Sequence, residues 1–180
     1  IGCGWLGQAL ASQLLQMNYH VVGTAKSEQR LTQISALGVI SEQLTLPLTN
    51  TAVYQCFQCK SLIIAIPPQL RAGRVDYAEK IAQIVDRAQQ GNVKQIILIN
   101  STAIYGGQVG DVTEASSLDL TQPKVKILFE AENSVLNSGL AAVSLRVSGL
   151  VGPKRLPGNF FKQGRQLKDP YAYVNLVHQV

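Results

Sequence analysis

Histidine occurs only twice in this 180-residue chain, cysteine three times, and methionine and tryptophan once each. A structural zinc site normally takes four ligands, and neither His20 nor His178 stands at matching spacing from Cys56-Phe57-Gln58-Cys59, so no metal site is expected and the CxxC reads as ordinary, partly buried thiols. Three cysteines (Cys3, Cys56 and Cys59) are too few for a disulfide framework, which favours a reducing, cytoplasmic setting. Charged residues make up only 15% of the chain against 46% hydrophobic, which excludes disorder and a solvated coiled coil. Long apolar runs are also missing: Leu62 to Ile66 and Ile96 to Ile99 fall far short of the ~20 residues that cross a bilayer, so no membrane partner is expected. The chain opens at Ile1 without an initiator methionine and closes in the strand-like run Tyr173 to Val180, so both ends are expected to be cut.

The charge that is present is unevenly placed. Residues 1–150 carry 11 basic and 10 acidic side chains, whereas Lys154, Arg155, Lys162, Arg165 and Lys168 face only Asp169 after residue 150. A basic end of this kind suits an anionic small ligand at least as well as nucleic acid, and the interleaved aromatics of a nucleic-acid face are lacking. A merely solvated basic surface is the other reading.

Strand-like and helix-like stretches alternate with short connections, the pattern of a parallel sheet covered by helices. Ile1 reads as the end of a truncated first strand, followed by a helix over Trp5 to Met17 and a strand over Tyr19 to Thr24. Ser27 caps a helix closed by Gly38, and Val39 and Ile40 begin a third strand. Ser61 to Ile66, stopped by Pro67 and Pro68, reads as a doubly buried strand. Asp76 to Gln90 reads as a helix with the stripe Tyr77, Ile81, Ile84, Val85 and Ala88 and an Asp76/Lys80 pair. Strands over Gln95 to Asn100 and Ala141 to Val147 flank a helix opened by Pro123. The α/β class, a doubly wound parallel sheet of the Rossmann type, fills residues 1–150. Repeated Gly and Pro over 151–180 mark the start of a smaller C-terminal substrate lobe.

Gly2-Cys3-Gly4-Trp5-Leu6-Gly7 spells GxGxxG between a strand end and a helix, the context that a dinucleotide-binding turn requires. Gly2 permits the tight turn, Gly4 lets a pyrophosphate approach the backbone, and Gly7 lets the helix lie close to the sheet. Trp5 and Leu6, at the helix start, present N–H groups to phosphate. At the tip of the next strand no acid stands to accept from a ribose 2′-hydroxyl, while Lys26, Ser27 and Arg30 could hold a 2′-phosphate. NADP is therefore favoured, and Glu28 keeps NAD open.

Ile64-Ala65-Ile66-Pro67-Pro68, Asn100-Ser101-Thr102-Ala103-Ile104-Tyr105-Gly106, Thr113-Glu114, Ala131-Glu132, Leu145-Arg146-Val147-Ser148-Gly149 and Gly152-Pro153 follow the glycine motif in this order. Together they resemble the extended short-chain dehydrogenase/reductase superfamily of NAD-dependent epimerases and dehydratases over nearly the whole chain. The resemblance implies hydride transfer on a sugar-nucleotide-like or other anionic substrate. Cofactor contacts are implied from Ala65, Ile66, Pro67 and Ser148 and a substrate contact from Thr102, and a homodimer is among the assemblies it allows; in the basic segment, Arg155 and Arg165 are the candidates for an anionic ligand because a guanidinium can grip a phosphate bidentately. Ser101 matches the family's serine, and Tyr105 belongs to a structural Tyr-Gly turn. The family's catalytic Tyr and Lys positions fall on Lys124 and Leu128. No Tyr in the chain has a Lys four residues later, which points to an atypical branch. Lys124 reads either as a cationic donor near the nicotinamide or as a solvated first-turn lysine. The loss of the pair leaves two classes open, an enzyme working without it and a non-catalytic NADP-binding sensor.

Overall fold

The computed structural model describes residues 1–49, 52–160, 171 and 173–179. Five parallel strands, β1 (Val22–Ala25), β2 (Ile40–Gln43), β3 (Ser61–Ile64), β4 (Gln95–Ser101) and β5 (Ala141–Val147), form a β1-β2 pair and a β3-β4-β5 sheet. Residues 1–3 join the two. The Ile1 amino group donates to the Ile63 carbonyl at 2.6 Å and Ala65 N–H to the Ile1 carbonyl at 2.9 Å, while Cys3 N–H donates to the Thr24 carbonyl at 2.9 Å. The resulting order is β2, β1, residues 1–3, β3, β4, β5, which is the doubly wound Rossmann arrangement with its switch point beside the first strand. A short parallel pair, β6 (Gly149–Val151) and β7 (Leu176–His178), follows the sheet.

Four helices cover the sheet: α1 (Trp5–Gln16), α2 (Glu28–Ser35), α3 (Tyr77–Gln90) and α4 (Pro123–Leu136). Val21 and Val22, being adjacent, point to opposite faces and pack into different apolar clusters. One cluster gathers α1 and α2 around Cys3, Ala11, Ile34 and Val39; the other gathers α3 and α4 over β3 and β4. All five residues of the expected α3 stripe are buried, each contributing on the order of 1.5–3 kcal/mol as an upper figure for the large ones. Lys80 Nζ lies 2.7 Å from Asp76 Oδ2, as the i,i+4 spacing requires. Pro123 occupies the first turn of α4, where its missing N–H costs nothing.

Some boundaries differ from the sequence expectation. The second strand begins at Val22 rather than Tyr19, because Asn18 adopts φ 62° and extends the turn after α1, leaving Tyr19 57% exposed. The strand opened by Ser61 ends at Ile64, where the chain turns toward Pro67. Ser27 stands at the N-cap of α2, yet its side chain makes no capping bond. Cys56 and Cys59 lie on and just after a 3-10 turn, Gln55–Gln58, that Glu42 holds by accepting from the N–H groups of Gln55 and Cys56. Cys56 is buried, and its thiol is pushed up to about 12 by burial and the neighbouring Glu42 carboxylate. No helix among the described residues is long and apolar enough to cross a membrane.

Candidate functional site: a glycine turn beside a basic cleft

The glycine turn sits at the carboxyl edge of the sheet. Gly2 has φ +83°, and a Cβ there would come within 2.7 Å of Ile66 Cγ2 and 2.9 Å of its backbone nitrogen. Both conformation and space demand glycine. Thr24, buried at the end of β1, anchors the turn: its Oγ1 accepts from Gly2 N–H at 3.2 Å and its carbonyl from Cys3 N–H. Gly7 brings α1 against the turn, since a Cβ on it would lie 2.8 Å from the Gly2 carbonyl oxygen. Gly4 is different. Its Cβ would meet no atom closer than 3.9 Å, so the open side of this N-cap residue faces space that protein does not fill. Trp5, Leu6 and Gly7 follow with first-turn N–H groups that have no intrahelical acceptor, and α1 has no acidic residue in its first turn to neutralise them. An anion fits this end.

Beside the turn lies a cleft of about 350 Å³, of the size that small-molecule sites occupy. Gly2, Thr24, Ala25 and Lys26 line it with Ile66, Pro67 and Pro68 after β3 and with Arg74, Asp76, Tyr77 and Lys80 at the start of α3. The Lys80 ammonium, bonded to Asp76, holds that carboxyl below the usual range. Tyr77 is 2% exposed, and its hydroxyl has no hydrogen-bond partner among the described residues. The open side of Gly4 and the cleft beside it suit a dinucleotide with its pyrophosphate at α1 and its adenosine in the cleft.

The residues expected to choose the cofactor separate here. Lys26, Ile66 and Pro67 line the cleft, whereas Ser27 and Arg30, both exposed, do not. Ala65 is half-buried and tied to Ile1, and Ser148 is half-buried just after β5. Thr24 and Arg74 are among the cleft-lining residues that the sequence reading did not assign to a site. Thr24 looked like any β-branched strand residue, and Arg74 like an ordinary loop arginine.

Trp5 and Arg155 come together. Trp5 Nε1 donates to the Pro153 carbonyl at 2.7 Å, and the Arg155 guanidinium lies 5.2 Å from the centre of the Trp5 ring. The first residues past β6 thus cross over the start of α1. Arg165 lies outside the described residues.

Ser101 ends β4, and its Oγ accepts from Ala103 N–H at 3.1 Å, so its own O–H remains available to donate. Thr102 beside it is exposed. Next to Ser101 is a buried polar network that sequence spacing did not disclose. Asn100 Oδ1 accepts from Ser101 N–H at 2.9 Å, and Asn100 Nδ2 donates to Glu132 Oε2 at 3.1 Å. Glu132 also accepts from Ser144 Oγ at 2.7 Å and pairs with Arg146 at 2.5 Å. Arg146 in turn donates to Tyr105 Oη and to the Glu114 carbonyl, both at 3.2 Å. Burial alone would raise the Glu132 carboxyl, but the bonds from Arg146, Ser144 and Asn100 outweigh it and hold it below the usual range. In sequence Asn100, Glu114, Glu132 and Arg146 stand only in separate motifs of the family resemblance; in the structure Glu132 is the one acid among the buried residues Val125, Leu128, Ala131 and Val135 of α4. Tyr105 is buried in the network, in keeping with a structural Tyr-Gly turn. Leu128 is fully buried and Lys124 is exposed.

A parallel sheet of this order, with a glycine turn and an uncapped helix N-terminus at its switch point, defines a dinucleotide-binding protein of the Rossmann fold. The family described as NAD(P)H-binding matches residues 2–172, and the chain belongs to it. Protein YeeZ of Escherichia coli K12 is 31% identical over 185 residues, covering 99% of this chain and 67% of YeeZ. A functionally unknown conserved protein from Silicibacter pomeroyi DSS has the same fold at TM-score 0.70 and 23% identity, over 99% of this chain and 61% of its own. UDP-glucuronic acid 4-epimerase from Bacillus cereus, solved with NAD, superposes at TM-score 0.66 and 20% identity, over 87% of this chain and 57% of the enzyme. The chain thus spans about two thirds, or somewhat less, of these proteins' lengths.

Proposed function

We propose that this protein binds NADP(H) and exchanges a hydride with a carbinol or carbonyl carbon of an anionic, sugar-nucleotide-like substrate, in the cytoplasm. The observation that carries the proposal is the pairing of an open Gly4 turn with a cleft whose cations, Lys26, Arg74 and Lys80, outnumber its single acid, Asp76. Residues 1–150 form the dinucleotide domain and residues 151–180 open the substrate lobe. The Arg155 guanidinium over the Trp5 ring at the start of α1 supports a role for this arginine toward an anionic substrate group.

The N–H groups of Trp5, Leu6 and Gly7 bind the pyrophosphate, Lys26 the 2′-phosphate, and Ile66 and Pro67 bound the adenosine. When bound, the nicotinamide supplies or accepts the hydride. Ser101 keeps an O–H free to donate to the substrate oxygen that loses or gains charge as its carbon changes oxidation state. The proton on that oxygen is exchanged with Lys124, water or the substrate itself, since Leu128 leaves no tyrosine–lysine relay.

The burial of Leu128 also favours a second reading, a dinucleotide sensor without chemistry. Steady-state turnover of the full-length protein with NADPH and a panel of keto-sugar nucleotides and small ketones separates the two. The enzyme reading expects slow turnover that falls in Ser101→Ala; NADPH binding with no turnover on any panel member supports the sensor, and loss in Lys124→Met with retention in Ser101→Ala reverses the assigned roles.

A further inference from the structure

We infer that Arg74 is a cofactor-specificity residue, whose guanidinium completes with the Lys26 ammonium a subsite for the 2′-phosphate of NADP(H). The inference rests on the NADP reading above and adds a residue from a distant part of the chain. Lys26 follows β1 and Arg74 precedes α3, so the two reach the cleft from opposite sides of residues 1–3, which bridge β1 and β3. Arg30, the other cation near the ribose end in sequence, does not line the cleft. A second charge for the phosphate therefore comes from the α3 side.

The charge pattern of that wall makes Arg74 available. Asp76 sits between two cations, but they are unequally engaged. Lys80 holds it at 2.7 Å with only 18% of the lysine side chain exposed, whereas Arg74 stands at 3.8 Å with 56% exposed. The Lys80 bond already compensates the carboxylate, so the guanidinium can turn its donors toward a ligand without leaving a buried charge unpaired. Lys80 also removes the repulsion that a bare Asp76 would exert on a phosphate. Guanidinium is suited to the task because its planar fork grips phosphate oxygens two at a time.

Titration of the full-length protein with NADPH and NADH, for wild type, Lys26→Ala, Arg74→Ala and Arg74→Lys, tests the inference. Arg74→Ala is expected to weaken NADPH about tenfold to a hundredfold while changing NADH less than about twofold, with Arg74→Lys in between. Melting temperatures should stay near wild type, because an exposed pair of this kind adds little stability. If Lys26→Ala lowers the NADPH preference but Arg74→Ala leaves it intact, the role of Arg74 is refuted and the NADP reading stands. A wild-type preference for NADH refutes both.

Discussion

Gly2, Gly4 and Gly7 carry the same side chain for different reasons, and single alanine substitutions should separate them. In Gly2→Ala the new methyl would meet Ile66 Cγ2 at 2.7 Å in a left-handed backbone. The conformation costs about 1–2 kcal/mol and the overpacking about 1–3 kcal/mol, which together should lower the melting temperature by roughly 5–15 °C in a domain of this size. In Gly4→Ala the methyl meets nothing nearer than 3.9 Å, on an extended backbone of φ −83°. Reduced entropy of the unfolded chain stabilises by about 0.4–1 kcal/mol, and alanine is a poorer N-cap by a similar amount, so stability should change by less than about 1 kcal/mol. The same methyl occupies the approach of the pyrophosphate. An overlap of about 3 kcal/mol there would weaken NADPH binding about a hundredfold. Differential scanning calorimetry and isothermal titration on the two variants read both effects. A Gly4→Ala protein that folds normally and binds NADPH as tightly as wild type would show that the turn serves packing alone.

Removing one partner of the Glu132–Arg146 pair, as in Arg146→Met, should destabilise by about 3–5 kcal/mol, because a carboxylate is left buried without its cation. The depressed Glu132 carboxyl contributes stability that is fully present above the ordinary glutamate range, ~4.3, and is lost as pH falls below it; acid denaturation of Glu132→Gln should show a shallower pH slope. Cys56, raised to about 12, holds its proton longer in the folded than in the unfolded chain, so stability should decline as pH rises above ~8.5, and a thiol reagent at pH 8 should label Cys56 only on unfolding. Tyr77→Phe removes a buried hydroxyl with no partner among the described residues, so the melting temperature should hold or rise; a clear fall would mean that the hydroxyl is satisfied in the folded protein.

Elements with strong periodicity were legible in the sequence. The α3 stripe could be read because one face of a helix repeats every 3.6 residues, and all of it is buried. The start of β1 was misplaced because nothing local distinguishes Tyr19 in a turn from Tyr19 in a strand; only the φ of Asn18 decides. The glycine turn was visible as a motif, and its geometry gives each glycine a separate cause. The cleft was half visible. Lys26 is adjacent to a strand end and could be anticipated, but Arg74 and Tyr77 arrive through the β3–α3 connection, and short-range pattern does not report which distant loop closes a cleft. Asn100, Glu114, Glu132, Ser144 and Arg146 are likewise scattered in sequence and meet only because β4, β5 and α4 pack together.

The most direct test is a crystal structure of the full-length protein with NADPH bound. The expected structure has the pyrophosphate within hydrogen-bond distance of the Leu6 and Gly7 N–H groups, the adenosine in the cleft over Ile66 and Pro67, and the 2′-phosphate at Lys26. A dinucleotide bound elsewhere, or one that leaves the glycine turn untouched, would contradict the assignment of this site.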